Sequence, residues 1–144
     1  MSTNSKPLVQ PYLSFEGRAE EAIKFYQQAL GAEVLMKMQF KDNPDLKTIS
    51  PGSADKVMHA TLRIGDSIVM ASDGHCTGKP GFQGISLSLT APTPADAEKY
   101  FKALSAGGQV QMPLTKTFFS PSFGMVDDKF GVTWMVMVPD PNMK

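Results

Sequence analysis

The sequence is poor in cysteine, tryptophan and histidine, which number one, one and two among its 144 residues. Cys76 therefore has no partner for an internal disulfide, which fits a reducing compartment. No apolar run reaches the length of a signal-peptide core or a membrane span. We expect a cytoplasmic protein.

The sequence also lacks an excess of either charge. Its 14 basic and 14 acidic residues cancel, so no overall field favours nucleic acid or an anionic membrane as a partner. Hydrophobic residues make up 42% and charged residues 19%, which is typical of a globular chain. A chain of this length can bury one sizeable core, and we expect a single domain over residues 1–144.

What the sequence does contain is an internal repeat. Four residues of one segment reappear in order in a second, as Ala22, Lys24, Phe25 and Tyr26 and then as Ala97, Lys99, Tyr100 and Phe101. The offset of 75 residues (97 minus 22) is longer than the periods of roughly 20 to 50 that indicate solenoids and propellers. The repeat therefore predicts a duplicated module, with a seam between the copies where a ligand can bind.

The first copy, about residues 8–73, has the pattern of a βαβββ module. Alternation predicts a strand over 8–15, where Pro11 requires an edge or an interruption in the pairing. Helical spacing begins at Arg18 and ends before Gly31, an expected left-handed cap. Strands are predicted over 33–40, 57–64 and 67–72, the last two joined by a tight turn. Residues 41–56 show no periodicity and predict a long loop, either a lid or a disordered segment.

The same order restarts after a glycine-rich linker over residues 74–84. In the second module, about residues 85–138, a strand over 85–91 precedes a helix with Thr93 as N-cap and Pro94 at its first position. Strands over 109–118, 123–126 and 132–138 follow. Neither four-stranded sheet can bury both of its faces alone. We predict an α+β fold in which two tandem βαβββ modules form a cupped sheet around a cleft, with the helices outside.

Several short motifs fall in order on these predicted elements. They are Pro11-Tyr12-Leu13 with Phe15, Glu21-Ala22, Phe25-Tyr26, Val57-Met58-His59-Ala60, Met70-Ala71-Ser72-Asp73, and Asp128-Lys129-Phe130-Gly131-Val132 with Trp134. From about Pro7 to Val138 the chain resembles the PhnB-like branch of the vicinal oxygen chelate superfamily. That superfamily includes glyoxalase I, extradiol dioxygenases, and bleomycin and fosfomycin resistance proteins. The resemblance implies a glyoxalase-like cupped sheet, whereas one fold can host many activities.

The resemblance also implies a divalent metal held by four side chains, typically histidine and glutamate, from the first and last strands of each module. The four positions fall at Gln10 or Pro11, near residues 84–86, at Val69 or Met70, and at Trp134 or Met135. Their occupants, taken as Gln10, Met70, Ser86 and Met135, are not strong ligands for such a metal. The sequence thus indicates no particular cofactor and leaves a divalent metal elsewhere as a possibility.

His59 and Asp73 are the candidate catalytic residues. Antiparallel pairing about residues 65–66 sets His59 almost opposite Ser72 and Asp73. The two side chains could orient a substrate or perform acid–base chemistry. The alternatives are a structural pair at the sheet edge, or a His59 whose ring is satisfied by a backbone group.

Asp73, His75 and Cys76 crowd together and resemble metal ligands. Their spacing is not that of a CxxC or HxxxH site, and the glycine-rich linker around them favours a solvated loop. Cys76 is also a weak candidate nucleophile, because adjacency in sequence does not make the thiol and the ring of His75 face each other.

An aromatic segment in the second module is the candidate ligand pocket. Its three phenylalanines lie on a predicted turn, and aromatics at a turn cannot all be buried behind one sheet. Each residue taken singly fits ordinary core. Together with other aromatic and flexible side chains they predict an apolar pocket for an organic ligand, lined by Tyr12, Met70, Phe118, Phe119, Phe123, Trp134 and Met135.

Two functions fit this sequence. The first is binding of a small organic molecule by a homodimer that has no nucleic-acid or membrane partner. The second is a metal-dependent enzyme of glyoxalase or dioxygenase type, a lyase, isomerase or dioxygenase, with a non-standard site around His59. PhnB-like sequences often carry a ubiquinone-methyltransferase label. Methyl transfer is not expected here, because the sequence lacks the glycine-rich strand-to-helix turn of nucleotide-type cofactor folds.

Overall fold

The computed structural model describes residues 6–44, 53–74, 76 and 78–140. In these ranges the order βαβββ occurs twice, as the repeat predicts. The first module contains β1 (Tyr12–Ser14), α1 (Ala19–Leu30), β2 (Glu33–Gln39), a 3₁₀ turn (Phe40–Asp42), β3 (Val57–Ile64) and β4 (Ser67–Ser72). The second contains β5 (Ser86–Thr90), α2 (Pro94–Ser105), β6 (Gln109–Thr115), β7 (Phe123–Asp127) and β8 (Thr133–Met137). Half of the predicted lid loop, residues 45–52, lies outside the described residues.

Each module forms one four-stranded sheet. The strand orders are β1-β4-β3-β2 and β5-β8-β7-β6. In both sheets the first strand of the module pairs in parallel with the last, and the other pairs are antiparallel. Strand β1 is therefore an edge strand, which is where Pro11, just before it, can be tolerated. The predicted α+β class and the repeated topology are confirmed.

The helix ends follow the predicted local signals. Gly31 adopts a φ of 68° and closes α1 with a left-handed cap, a conformation that glycine reaches without steric cost. The Thr93 hydroxyl accepts a hydrogen bond from the amide of Asp96 at 3.1 Å and caps α2, with Pro94 as its first residue. No helix in the described ranges is long and apolar enough to cross a membrane.

Both helices contribute to a core that the two modules share. Tyr26 of α1 lies against Trp134 of β8, with ring centroids 5.6 Å apart, and Phe130 packs edge-on against Phe15 of the first module. The buried carboxylate of Asp128 accepts hydrogen bonds from the Tyr26 hydroxyl at 2.5 Å and the Trp134 indole at 2.9 Å. Burial, and then the charge of Asp128, raise the pKa of Tyr26 far above its usual range. A satisfied polar contact thus joins the modules inside the core.

Each sheet turns the face away from this core outwards, and we call these the first and second open faces. None of the eight methionines in the described residues belongs to the buried core. Cross-strand pairing places most of them in rows on the open faces. One row is Met36, Thr61, Met70 and Tyr12 on the first face, and the other is Met112, Met125, Met135 and Ser88 on the second.

Candidate functional site

Tyr12 and His59 form a hydrogen-bonded pair on the first open face. Tyr12 Oη lies 2.8 Å from His59 Nδ1, and the two ring centroids are 5.4 Å apart. Tyr12 projects from β1 and reaches across β4 to β3, which is possible because Met70 pairs directly with both Tyr12 and Thr61. Although it is aromatic, Tyr12 stays 51% exposed. Tyr12 and Met70, both predicted to line a ligand pocket, are direct partners in the sheet.

The second nitrogen of His59 is also engaged. Its Nε2 lies 3.0 Å from the hydroxyl of Thr61, two residues along the same strand and so on the same face. The three residues form a continuous chain of hydrogen bonds, which we call the triad: Tyr12, His59 and Thr61. Sequence reasoning missed Thr61, although its position two residues after His59 in a strand was the signal that could have found it.

The predicted contact between His59 and Asp73 is wrong. Ala60 pairs with Ala71, and continuing this register by one position sets His59 opposite Ser72. The side chain of the next residue, Asp73, therefore points to the other face of the sheet. There the buried carboxylate accepts hydrogen bonds from three backbone amides, those of Gly17 at 2.8 Å, Ala19 at 2.7 Å and Val57 at 2.8 Å. An acidic side chain at the start of α1 also complements the positive end of the helix. Asp73 holds the fold together.

The predicted pocket position of Trp134 is wrong as well. Trp134 is 3% exposed and lies in the shared core, bonded to Asp128. Its neighbour Met135 points to the second open face, where it pairs with Met125 and Ser88. Adjacent strand residues face opposite sides of a sheet, so Trp134 and Met135 could not both line one pocket.

The aromatic segment forms a short ladder of rings. Phe118 is 89% exposed and stacks edge-on against Phe119 at 5.1 Å, and Phe119 stacks in turn against Phe123 at 5.0 Å. Phe123 pairs with Met137 on the second open face. Within the described ranges these three rings contact one another and not Tyr12, so the predicted pocket residues divide between the two open faces.

Two cavities border the first strand. A groove of about 540 Å³ runs between the lead-in to β1 and strand β5, with Gln10, Pro11, Ile68 and Ser86 among its lining residues. A smaller cavity of about 210 Å³ lies between Tyr12, Phe82 of the linker and Val132. The larger volume lies in the range of small-molecule sites, a few hundred to about 1,000 Å³.

The donor set does not fit the divalent metal that the resemblance implies. Gln10 and Ser86 line one groove, but they offer a neutral amide and a hydroxyl. Met70 and Met135 offer thioethers, which are soft ligands, whereas such cations prefer carboxylates and imidazoles. Both ring nitrogens of His59 are already hydrogen-bonded. In the described residues no group of three or more His, Cys, Asp or Glu side chains is arranged to hold a metal.

The linker cluster cannot be assembled from the described residues. His75 lies outside them. Cys76 is a free thiol with a positive φ of 57°, and Asp73 is committed to backbone amides on the inner face of the first sheet.

Comparison with known proteins assigns the chain to a family. Residues 7–137 match the family model described as "3-demethylubiquinone-9 3-methyltransferase". Protein YjdN of Escherichia coli is 37% identical over 138 residues, which cover 90% of this chain and 94% of that protein.

Solved structures agree with the fold. Protein PA1353 of Pseudomonas aeruginosa is 42% identical, with a TM-score of 0.82 over 93% of this chain and 98% of that one. A PhnB protein from Bacillus cereus, described as a putative 3-demethylubiquinone-9 3-methyltransferase, is 30% identical, with a TM-score of 0.76 over 92% and 99%. A glyoxalase-related enzyme from Fulvimarina pelagi, 14% identical with a TM-score of 0.61 over 93% and 88%, shares the fold alone.

Proposed function

The chain belongs to the PhnB-like family of the vicinal oxygen chelate fold, and we propose that it binds a small organic ligand on its first open face, at the triad. One observation carries this proposal. A tyrosine and a histidine are hydrogen-bonded to each other on the outward face of a sheet, and Tyr12 remains half exposed there. A few convergent polar groups on an apolar surface are the usual composition of a ligand site.

The surroundings of the triad suit an organic ligand. Met36 and Met70 flank Thr61 on the neighbouring strands, and Met38 pairs with His59. Methionine side chains are flexible and polarisable, so they adapt to a ligand's shape and contact aromatic rings favourably. The charged side chains on the same face, Arg63 and Glu33, are paired with each other. The ligand would therefore contact methionine thioethers and the hydrogen-bonded triad rather than a cluster of charged side chains.

Methyl transfer, which the family description names, has less support in this chain. The two βαβββ modules lack the alternating strand and helix order of nucleotide-type cofactor folds. The metal-dependent alternative is not favoured by the donor set around His59. A ligand-binding protein, with or without turnover, is the function that the triad supports best.

We further propose that the protein acts as a cytoplasmic homodimer. The exposed apolar side chains Met36, Met112 and Phe118 lie on or beside the open faces. Such surface is commonly covered by a partner. A single cysteine fits a reducing compartment.

A thermal-shift screen followed by calorimetry tests the ligand proposal. The screen uses phenols, quinones, aromatic carboxylates and aliphatic metabolites, and the tightest compound is then titrated into the wild type and Tyr12→Phe. Loss of the hydroxyl should weaken binding about fivefold, because a hydrogen bond contributes on the order of 1 kcal/mol.

Tyr100→Phe is the matched control. Tyr100 lies on α2 and lines a different cavity of about 460 Å³, beside Leu30 and Thr90. This variant should keep the wild-type affinity for the compound. Equal affinity of Tyr12→Phe and the wild type, or weakening by Tyr100→Phe alone, would place the ligand away from the triad.

A further inference from the structure

The triad has a direction along which a proton can move. A neutral imidazole has one donor nitrogen and one acceptor nitrogen, so His59 either accepts from Tyr12 and donates to Thr61, or does the reverse. A phenol, with a pKa near 10, is a stronger hydrogen-bond donor than an aliphatic alcohol. The stronger donor favours the arrangement in which Tyr12 Oη–H donates to Nδ1 and Nε2–H donates to the hydroxyl of Thr61.

This polarity leaves the lone pairs of Tyr12 Oη facing outwards. Tyr12 is half exposed, so a ligand oxygen can approach its hydroxyl. His59 is part-buried behind it, and in the described residues its ring has no partner other than Tyr12 and Thr61. A ligand acid that hydrogen-bonds to the exposed hydroxyl of Tyr12 is thereby connected to the imidazole.

We infer that the ligand is an organic acid of the phenol or enol type, which delivers its proton through Tyr12 to His59; the inference rests on the proposed function. The ligand O–H bond breaks as its proton moves to Tyr12 Oη. The original Tyr12 proton moves to His59 Nδ1. The products are a ligand oxyanion, a neutral Tyr12 that donates to it, and an imidazolium that donates to Thr61.

The transfer selects acids whose strength is close to that of imidazole. Histidine has an ordinary pKa of about 6.5, and proton transfer is efficient when donor and acceptor match. Simple phenols near 10 hold their proton too tightly, and carboxylic acids near 4 have already lost it at neutral pH. Electron-poor phenols and enols of dicarbonyl compounds fall between these limits.

The charged side chains of strands β2 and β3 are already ion-paired. On the same face, Arg63 of β3 is paired with Glu33 of β2. On β2, Lys37 is paired with Glu20 of α1, on the inner side of the sheet. Asp73, which follows β4, faces the start of α1, and β1 carries no ionisable residue besides Tyr12. The oxyanion is thus the natural counter-charge of the imidazolium.

The second open face lacks the side chains that the proposed proton transfer uses on the first. The row that corresponds to Met36, Thr61, Met70 and Tyr12 is Met112, Met125, Met135 and Ser88. It contains neither an aromatic hydroxyl nor an imidazole. The hydrogen-bonded pair of a tyrosine and a histidine therefore occurs in one copy of the module only, as far as the described residues show.

The test uses 4-nitrophenol, whose acidity is close to that of imidazole and whose anion is yellow. At about pH 7, where imidazole is mostly neutral and can accept a proton, the wild type should bind the compound entirely as the yellow anion. Tyr12→Phe interrupts the path and His59→Gln removes the acceptor, so both variants should lose the yellow colour on binding. Thr61→Val should weaken it, because the imidazolium then lacks one acceptor.

A probe without the proton separates this inference from the proposed function. 4-Nitroanisole has the same ring and a methyl group in place of the acidic hydrogen, and it should bind at least tenfold more weakly. Equal affinity of the two probes, with bound 4-nitrophenol colourless, would overturn the proton transfer while leaving ligand binding at the triad intact. Failure of 4-nitrophenol to bind, or a yellow complex with His59→Gln, would also overturn it. The compound screen with Tyr12→Phe tests the proposed function independently.

Discussion

Asp73 shows how one carboxylate can organise three separate segments. Its oxygens accept hydrogen bonds from the backbone amides of Gly17, Ala19 and Val57. The first two lie just before and at the start of α1, and Val57 is the first residue of β3. Arg18, which precedes α1, supplies no side-chain cap of its own. The exposed amides at the start of the helix are therefore satisfied from a distant strand end.

Asp73→Asn tests this structural role. The amide keeps the shape of the side chain but replaces one acceptor oxygen with a donor, which leaves a buried amide unsatisfied. We expect the free energy of unfolding to fall by about 1–3 kcal/mol, measured by urea denaturation. Asp66→Asn in the exposed β3–β4 turn is the control and should stay within about 0.5 kcal/mol of the wild type.

Measuring the ligand affinity of Asp73→Asn tests whether this residue also belongs to the binding site. Since the carboxylate faces away from the triad, folded Asp73→Asn should bind the screen compound like the wild type. A stable variant with lost binding would mean that Asp73 belongs to the site after all.

Strand alternation explains which site residues could be predicted from the sequence. Tyr12 and Met70 share a face because they are direct partners, and Met135 follows from the same alternation in β8. The prediction places Trp134 in one pocket with its neighbour Met135, but adjacent strand residues face opposite sides of the sheet. It also places Asp73 beside His59, although only Ser72, the residue before Asp73, shares a face with His59. The bond from Tyr12 to His59 spans 47 positions and depends on register, which local pattern does not specify.

Among the elements, strand β7 lies unusually close to its neighbours. A Cβ atom added to Gly124 would lie 2.8 Å from the Phe101 ring of α2 and 3.0 Å from the carbonyl oxygen of Met112 on β6. The ring of Phe101 fills the space that a side chain at position 124 would occupy. This glycine therefore sets the distance between α2 and the second sheet.

Gly124→Ala should destabilise the protein by about 1–3 kcal/mol, since the added methyl group forces the helix or the edge strand to shift. Thermal and urea unfolding would measure the loss. Gly81→Ala is the matched control, because its added Cβ meets nothing within 4 Å. Similar stabilities of the two variants would contradict the close packing of α2 on β7.

Some element boundaries follow from the sequence and others do not. Strands β3 and β4 match their predicted ranges, because alternation ends on both sides of a glycine turn. Strand β1 was predicted over eight residues but spans Tyr12–Ser14. Its pairing starts only where Pro11 first offers its carbonyl to the Met70 amide, and that limit depends on the partner strand.

At the scale of the whole molecule, the duplication has produced two unlike faces around one core. The inner faces and helices supply stability through contacts such as that of Tyr26 with Asp128. The outer faces carry most of the methionines in the described residues, and the first face alone carries the triad. Fold and chemistry thus occupy opposite sides of the same sheets, and only the fold repeats.

Methyl NMR of protein labelled with ¹³C in its methionine methyl groups tests the central claim most directly. The tightest compound from the screen should shift the signals of Met36, Met38 and Met70 as it saturates the site, with the affinity found by calorimetry. Single Met→Leu variants assign the signals. Saturable binding that leaves these three signals unmoved would contradict a ligand site at the triad.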